Sequence, residues 1–262
     1  KNFRFSDGIW GSEWVGLRHF KSLFGSRDFY MVLRNTLLLN IYNLIFGFPV
    51  PIILAILINE VHNHIFKRTV QSLIYIPHFI SWVVLVGIWI SLLSPSTGVV
   101  NIVLNKVLGI KPIYFLADKF WWPVMFVISG IWQGAGWGTI IYLAAITNID
   151  PQLYEASYVD GASKWRQMWH ITLPGIRSTI AILLILRMGG MMNVGFEHVF
   201  VLQNSAVRSV SEVISTFVYR AGILSTQYSY TTAVGLFQSL VSMILIVSTN
   251  RIIKALGEEG LW

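Results

Sequence analysis

Apolar residues in this chain gather into long stretches separated by short polar ones. Five stretches each supply the roughly 20 apolar residues a helix needs to cross a bilayer: Asn35 to Asn59, about Thr69 to Leu93, Pro123 to about Ile146, about Ile176 to Val201, and Thr231 to Ile253. The pattern predicts an all-α, polytopic helical membrane protein with five spans, and no internal repeat divides it, so residues 1–262 read as a single transmembrane domain. Pro49 and Pro51 break the middle of the first span, and Pro77 and His78 lie inside the second. Membrane helices tolerate such breaks where neighbours or water take up the freed carbonyls. Residues 1 to 33 are mixed and aromatic and are expected to pack along the membrane surface. In the loop 94–120, Asn101 to Leu108 suits a short interfacial helix, and Trp121 and Trp122 suit aromatic anchors at the lipid boundary. Gly130, Gly134 and Gly138 recur at intervals of four in the third span and predict a face for close helix packing. Leu202 to Tyr230 is polar and aromatic and must leave the hydrocarbon.

One polar stretch stands apart. Glu155 to Pro174, EASYVDGASKWRQMWHITLP, lies between apolar spans and reads as two short amphipathic helical turns joined at Asp160-Gly161. Glycine accepts the positive φ that a sharp reversal between helices needs. Pro174 suits the opening of the next helix, where its missing N–H costs nothing. The stretch resembles the cytoplasmic EAA loop of the membrane permeases of ATP-binding-cassette (ABC) importers, whose pattern is Glu-Ala-Ala, Asp-Gly-Ala and, nine residues on, Ile-x-Leu-Pro. Glu155, Ala156, Asp160, Gly161, Ala162, Ile171, Leu173 and Pro174 fill those places, and Ser157 stands where the family has its second alanine.

Composition agrees with the membrane class. Only 12% of the 262 residues are charged and the mean hydropathy is +0.63, about half the charge of an ordinary soluble domain. Cysteine is absent, which removes disulfides and thiolate chemistry. The net charge of +7 is spread between spans without a dense basic run, which argues against nucleic acid as a partner. With the Glu155–Pro174 loop inside the cell, seven Lys/Arg lie on the cytoplasmic side and eleven outside, the reverse of the positive-inside rule. Orientation therefore rests on the resemblance. Five spans leave the two ends on opposite sides, whereas the family usually has six or more, so a further span upstream of Lys1 is expected.

Catalytic signatures are missing. There is no G-x-x-x-x-G-K-[ST] phosphate loop, no His-x-x-x-His pair and no nucleophile elbow. His62 and His64 are two apart and would not share a helix face, so a solvated pair is the expectation rather than a metal site. His78 has no His, Asp or Glu at helical spacing and reads as a hydrogen-bonded packing residue. The informative polar residues lie in the fourth span. Arg187 falls about 16 Å along a helix from Ile176, near the bilayer centre, where a charge costs at least a few kcal/mol unless it faces protein or water. Either it is a structural ion pair or helix cap, or it lines a translocation route together with Asn193 and Glu197, with Gly189 and Gly190 loosening the helix and Gln133 and Trp137 on the third span. Rings suit the faces of sugars, but interfaces collect Trp and Tyr too.

The segments NVGFEHVFVLQN, SEVISTFVYRAGI and QYSYTTAVGLFQSLV also resemble the maltose-type permeases that import oligosaccharides and polysaccharide fragments such as alginate-type uronic acid chains. The resemblance, which extends over nearly the whole chain, implies a type I importer permease working by alternating access in the bacterial cytoplasmic membrane. It implies a second, homologous permease subunit, two ATPase subunits that bind ATP and Mg, an extracytoplasmic solute-binding protein, and no cofactor on this chain itself. The coupling loop, within residues 152–174, would seat against an ATPase: Glu155 in a charged contact beside Ala156, Asp160 and Gly161 at the turn, Trp165, Met168 and Trp169 in apolar docking, Leu173 and Pro174 joining the lever to the next span. The rival readings are an ABC permease for amino acids, polyamines or phosphate, and a channel or carrier that uses no ATPase.

Overall fold

The structure, a computed structural model, describes residues 1–4, 6–258 and 260–262, and among them there is no strand. Three helical stretches are long and apolar enough to cross a bilayer unbroken: Arg27–Asn59, Trp121–Thr147 and Tyr228–Ala255. Two broken pairs, His64–Phe79 with Trp82–Leu93 and Lys164–Gly175 with Arg177–Gly189, bring the spans to five if each pair is counted once. The helices used below are α1 (Arg27–Tyr42), α2 (Pro49–Asn59), α3 (His64–Tyr75), α4 (Trp82–Leu93), α5 (Val99–Leu108), α6 (Trp121–Thr147), α7 (Pro151–Val159), α8 (Lys164–Gln167), α9 (Arg177–Gly189), α10 (Phe196–Leu202) and α11 (Tyr228–Ala255).

Two spans differ from the expectation of single helices. The second starts at His64, where the Asn63 side chain accepts from the amides of Ile65 and Phe66 at 3.0 Å each. It stops as a regular helix at Pro77, which cannot donate to the turn before it, and restarts at Trp82. The fourth is interrupted between Gly189 and Phe196, where Gly195 sits at φ +82°. The Asn101–Leu108 expectation holds with the helix beginning at Val99.

The contacts divide the chain into two compact units, each built from three separate stretches. The first comprises Lys1–Ile41, Trp82–Phe126 and Gly189–Leu245. Its core is Leu23, Phe29, Val32, Met192, Ile214 and Val234, so part of the N-terminal stretch expected at the membrane surface is buried instead. Ile9, Trp10, Trp14 and Leu17 do remain exposed. The irregular backbone at 190–195 is braced from two helices: Asn40 donates to the Met191 carbonyl and Gln238 to the Met192 carbonyl, both at 2.9 Å. Unpaired carbonyls at membrane depth cost several kcal/mol each, which is why a break here needs such partners. Trp122, expected as an interfacial anchor, is fully buried, stacked on Phe126, and donates its indole N–H to the Leu202 carbonyl at 3.1 Å. His198 is buried between the rings of Trp82 and Phe126, with centroids 3.6 and 4.1 Å away.

The second unit comprises Tyr42–Ser81, Val127–Met188 and Ile246–Trp262. Ala55, Ile56, Tyr142, Ile146 and Ile176 form its main core, and Ala181, Ile185 and Ile253 a smaller one. The Pro49 break is absorbed by a wide turn over Asn43–Gly47 in which the Phe48 amide reaches the Asn43 carbonyl at 3.0 Å. The Pro51 carbonyl accepts from the Thr139 hydroxyl at 3.4 Å. The close helix approach on α6 is carried by a glycine outside the predicted stripe. A Cβ at Gly136 would lie 1.9 Å from the Ile74 carbonyl oxygen, and one at Gly138 3.1 Å from Pro51, whereas one at Gly134 would meet nothing. His78 packs by stacking on Trp137, ring centroids 4.8 Å apart, while its buried Nδ1 has no hydrogen-bond partner.

Candidate coupling site and transport pathway

The polar stretch between α6 and α9 forms a helical hairpin. Asp150 starts α7, its carboxylate accepting from the Gln152 amide at 2.9 Å, with Pro151 in the first turn where no N–H is needed. The helix ends at Gly161, φ +71°. There the Gly161 amide bonds the Tyr158 carbonyl at 3.0 Å and the Ala162 amide the Ser157 carbonyl at 2.9 Å, the two bonds of a left-handed glycine cap. Ser163 opens α8. The chain then widens into a π-helical turn over Met168–Thr172 and continues through Leu173–Gly175. Pro174 thus lies inside the second arm and does not open the next span, which starts at Arg177 after a 58° bend. The joint closes at Gly175, where a Cβ would come within 2.6 Å of Ile149.

The two arms are pinned together by polar side chains that sequence reasoning did not select. Gln167, buried, donates to the Ser157 hydroxyl at 2.8 Å, and that hydroxyl donates to the Tyr154 carbonyl at 2.8 Å. Tyr154 and Thr172 share a hydrogen bond of 3.0 Å between their hydroxyls. Ser157, the departure from the family alanine, is therefore the acceptor that holds the second arm. The signal was present in that departure, because a hydroxyl in place of a methyl asks for a partner. Lys164 reaches back to Glu60, just past the end of α2, at 3.4 Å.

The outward side of the hairpin is apolar and open. Trp165 is 66% and Trp169 55% exposed, their rings edge to face at 6.3 Å, and Leu153, Tyr158 and Val159 are also exposed. Glu155, Ala156 and Asp160 are exposed, and Glu155 and Asp160 form no ion pair among the described residues. One expected docking residue belongs elsewhere. Met168 packs against the core of its own unit, as does Leu173, the expected joint to the next span.

The expected pathway residues fall in both units. Arg187 lines a cavity of about 330 Å³ with Asn43, Gly130, Gly134, Gly138 and Tyr142, so all three glycines of the stripe border open space, Gly138 also approaching Pro51. Its guanidinium has no hydrogen bond or ion pair among the described residues, which leaves the structural-pair reading without a partner. Gln133 donates to the His78 carbonyl at 3.3 Å and Trp137 stacks on that histidine, and neither lines the Arg187 cavity. Asn193 accepts from the Gly195 amide at 3.0 Å and so holds the break in the fourth span, and Glu197 is exposed beside it, both in the other unit. Among the described residues no cluster of His, Cys, Asp or Glu is arranged to hold a metal.

The hairpin is thus braced from within, apolar on its outside, and set between helices long and apolar enough to cross a membrane. The chain belongs to the family of binding-protein-dependent transport system inner membrane components, whose model matches residues 33–258. It is 51% identical over 255 residues to the polygalacturonan/rhamnogalacturonan transport system permease YteP of Bacillus subtilis, covering 97% of this chain and 79% of that one. It is 49% identical to LplB of the same organism, covering 97% and 80%. Among solved structures it matches the bacterial alginate ABC transporter in complex with its alginate-loaded periplasmic protein, with a TM-score of 0.90 and 41% identity over 94% of this chain and 85% of that one. The chain is thus a membrane-embedded permease of a binding-protein-dependent ABC transport system, with the all-helical type I importer fold, and a transport subunit without enzymatic chemistry of its own.

Proposed function

We propose that this chain is one of two permease subunits in the cytoplasmic membrane of a bacterium that import acidic oligosaccharides or polysaccharide fragments. Two ATPase subunits, which bind ATP and Mg, power it, and an extracytoplasmic solute-binding protein delivers the cargo. The observation that carries the reading is the exposed Trp165–Trp169 pair on a hairpin whose own polar groups bond one another. Large exposed rings on a braced element suit burial in a protein cleft. Closure of the ATPases on ATP would pull the hairpin, and the bend after Gly175 would carry the movement into α9 and Arg187. The motion follows only if the ATPase grips the hairpin differently in its two states. The cargo class is supported by the likeness to permeases described for polygalacturonan/rhamnogalacturonan and to a transporter described for the acidic polysaccharide alginate. It is supported also by Arg187, whose unpaired guanidinium suits a carboxylate passing through.

The test is Gly161→Val in the reconstituted complex. A branched residue at φ +71° is strained although space is open, by about 1–2 kcal/mol. That strain acts on the turn that sets the angle between the arms, so saccharide uptake and saccharide-stimulated ATP hydrolysis are both expected to fall to background while the complex still assembles. Unchanged uptake would remove the lever. Release of the permease without any ATPase on purification from native membranes would favour a carrier.

A further inference from the structure

Residues 203–227 join α10 to α11. In the five-span reading of the sequence, one span separates the hairpin from this joining segment, which puts the segment on the opposite membrane face, where in the proposed function a delivered solute arrives. It contains one acidic residue, Glu212, and two arginines, Arg208 and Arg220.

These three side chains are built into one cluster. Glu212 is 2% exposed, and its Oε2 accepts from Arg208 Nε at 3.0 Å and from Arg220 Nη1 at 2.6 Å. Arg220 also donates to Gln203, which donates in turn to the Ser211 hydroxyl at 2.8 Å. Asn35 fixes the backbone by donating to the Ser209 and Glu212 carbonyls, each at 3.1 Å, and a third guanidinium, Arg34, reaches the Ser209 carbonyl at 3.4 Å. Two cations thus share one carboxylate, whose Oε1 is buried without a hydrogen-bond partner, and Arg34 adds a third positive charge on the neighbouring backbone. Arg208 is the exposed member, its side chain 58% accessible. It gives only Nε to the cluster, and neither terminal amino group has a partner among the described residues.

A guanidinium held by Nε with both terminal amino groups free is a two-pronged donor matched to a carboxylate. Holding it in place beforehand removes the ordering cost that a free surface arginine meets on binding, and the surplus positive charge draws an anion rather than a neutral sugar. We propose that Arg208, pinned by Glu212, is a carboxylate-recognition fork on the outer face of the permease that selects acidic over neutral saccharides before they enter the pathway. Glu212 and Arg220 are its positioning residues. The proposal rests on the acidic-saccharide reading given above.

The experiment measures equilibrium binding of trigalacturonate and of its uncharged trimethyl ester to the complete transporter in lipid nanodiscs. Arg208→Gln leaves Glu212 paired with Arg220 and so keeps the fold, which thermal unfolding checks. It is expected to weaken trigalacturonate binding by about tenfold or more, the worth of a charge-assisted pair, and to leave the ester unchanged. Arg208→Lys, a point charge in place of a fork, is expected to lose an intermediate factor. Equal affinity for trigalacturonate in Arg208→Gln and the unaltered protein, or an equal loss for acid and ester, would overturn the fork alone. A weakened grip on the saccharide-free binding protein would assign Arg208 to protein docking and overturn it too. If the unaltered transporter binds neither probe, the acidic-cargo reading itself fails, and the fork with it.

Discussion

Two polar stretches of this chain leave the hydrocarbon, the hairpin at 151–175 and the connecting segment at 203–220, and they treat their charged and apolar side chains in opposite ways. In the hairpin the charges point outward and weakly paired, while amides and hydroxyls (Gln167, Ser157, Tyr154, Thr172) fasten the arms and the aromatic rings stand exposed. In the connecting segment the carboxylate of Glu212 is buried, and the arginines converge on it. A neutral brace costs little to bury and leaves the outside free for a partner. A buried carboxylate is tolerable only with its cations in place, so that segment is fixed firmly and locally.

The contrast can be broken in order of expected effect. Glu212→Ala removes the anion that both arginines share and should lower the stability of the reconstituted complex by about 3 kcal/mol, visible as an earlier thermal transition; an unaltered transition would mean the cluster is solvated. Replacing Trp165 and Trp169 together by alanine should leave that transition in place yet weaken ATPase association by at least about 2 kcal/mol, some thirtyfold, measured by titrating ATPase subunits onto the permease pair. Should stability fall instead, the rings would be core and not contact. Gln167→Ala removes the bond between the arms while the Ser157 hydroxyl keeps its bond to the Tyr154 carbonyl, and loosens the hairpin by about 1 kcal/mol, read as faster amide hydrogen exchange over 154–172 with the rest unchanged. The smallest effect belongs to Lys164→Ala, because an exposed pair such as Lys164–Glu60 contributes about 1 kcal/mol or less; a large loss of uptake there would make that bridge part of the lever.

Much of the hairpin was legible beforehand because its signals are local. Asp160-Gly161 marks the turn through a backbone conformation that glycine alone adopts easily, and the spacing of Trp165 and Trp169 marks an exposed stripe. Met168, expected in apolar docking with Trp165 and Trp169, packs inward at the start of a five-residue π turn, where the regular 3.6-residue period that sequence spacing assumes stops. The pathway residues were only partly legible. Arg187 stood out as a charge at membrane depth, but whether a neighbour pairs it depends on which helices lie beside it.

By itself the sequence determined the class, the all-helical apolar build and the place of the polar hairpin, since hydropathy, helix length and turn chemistry are properties of contiguous residues. Tertiary structure alone decided that Gly136, and not the predicted stripe, bears the closest helix contact, that Trp122 and His198 are core, and that Asn40 and Gln238 repair the broken fourth span. It alone decided also that Asn35 bonds the Ser209 and Glu212 carbonyls. The geometry of each of these contacts is set by the packed helices. Residues far apart in the chain meet there only because an unpaired carbonyl or a buried charge in an apolar surrounding costs more than the entropy lost in bringing a partner to it.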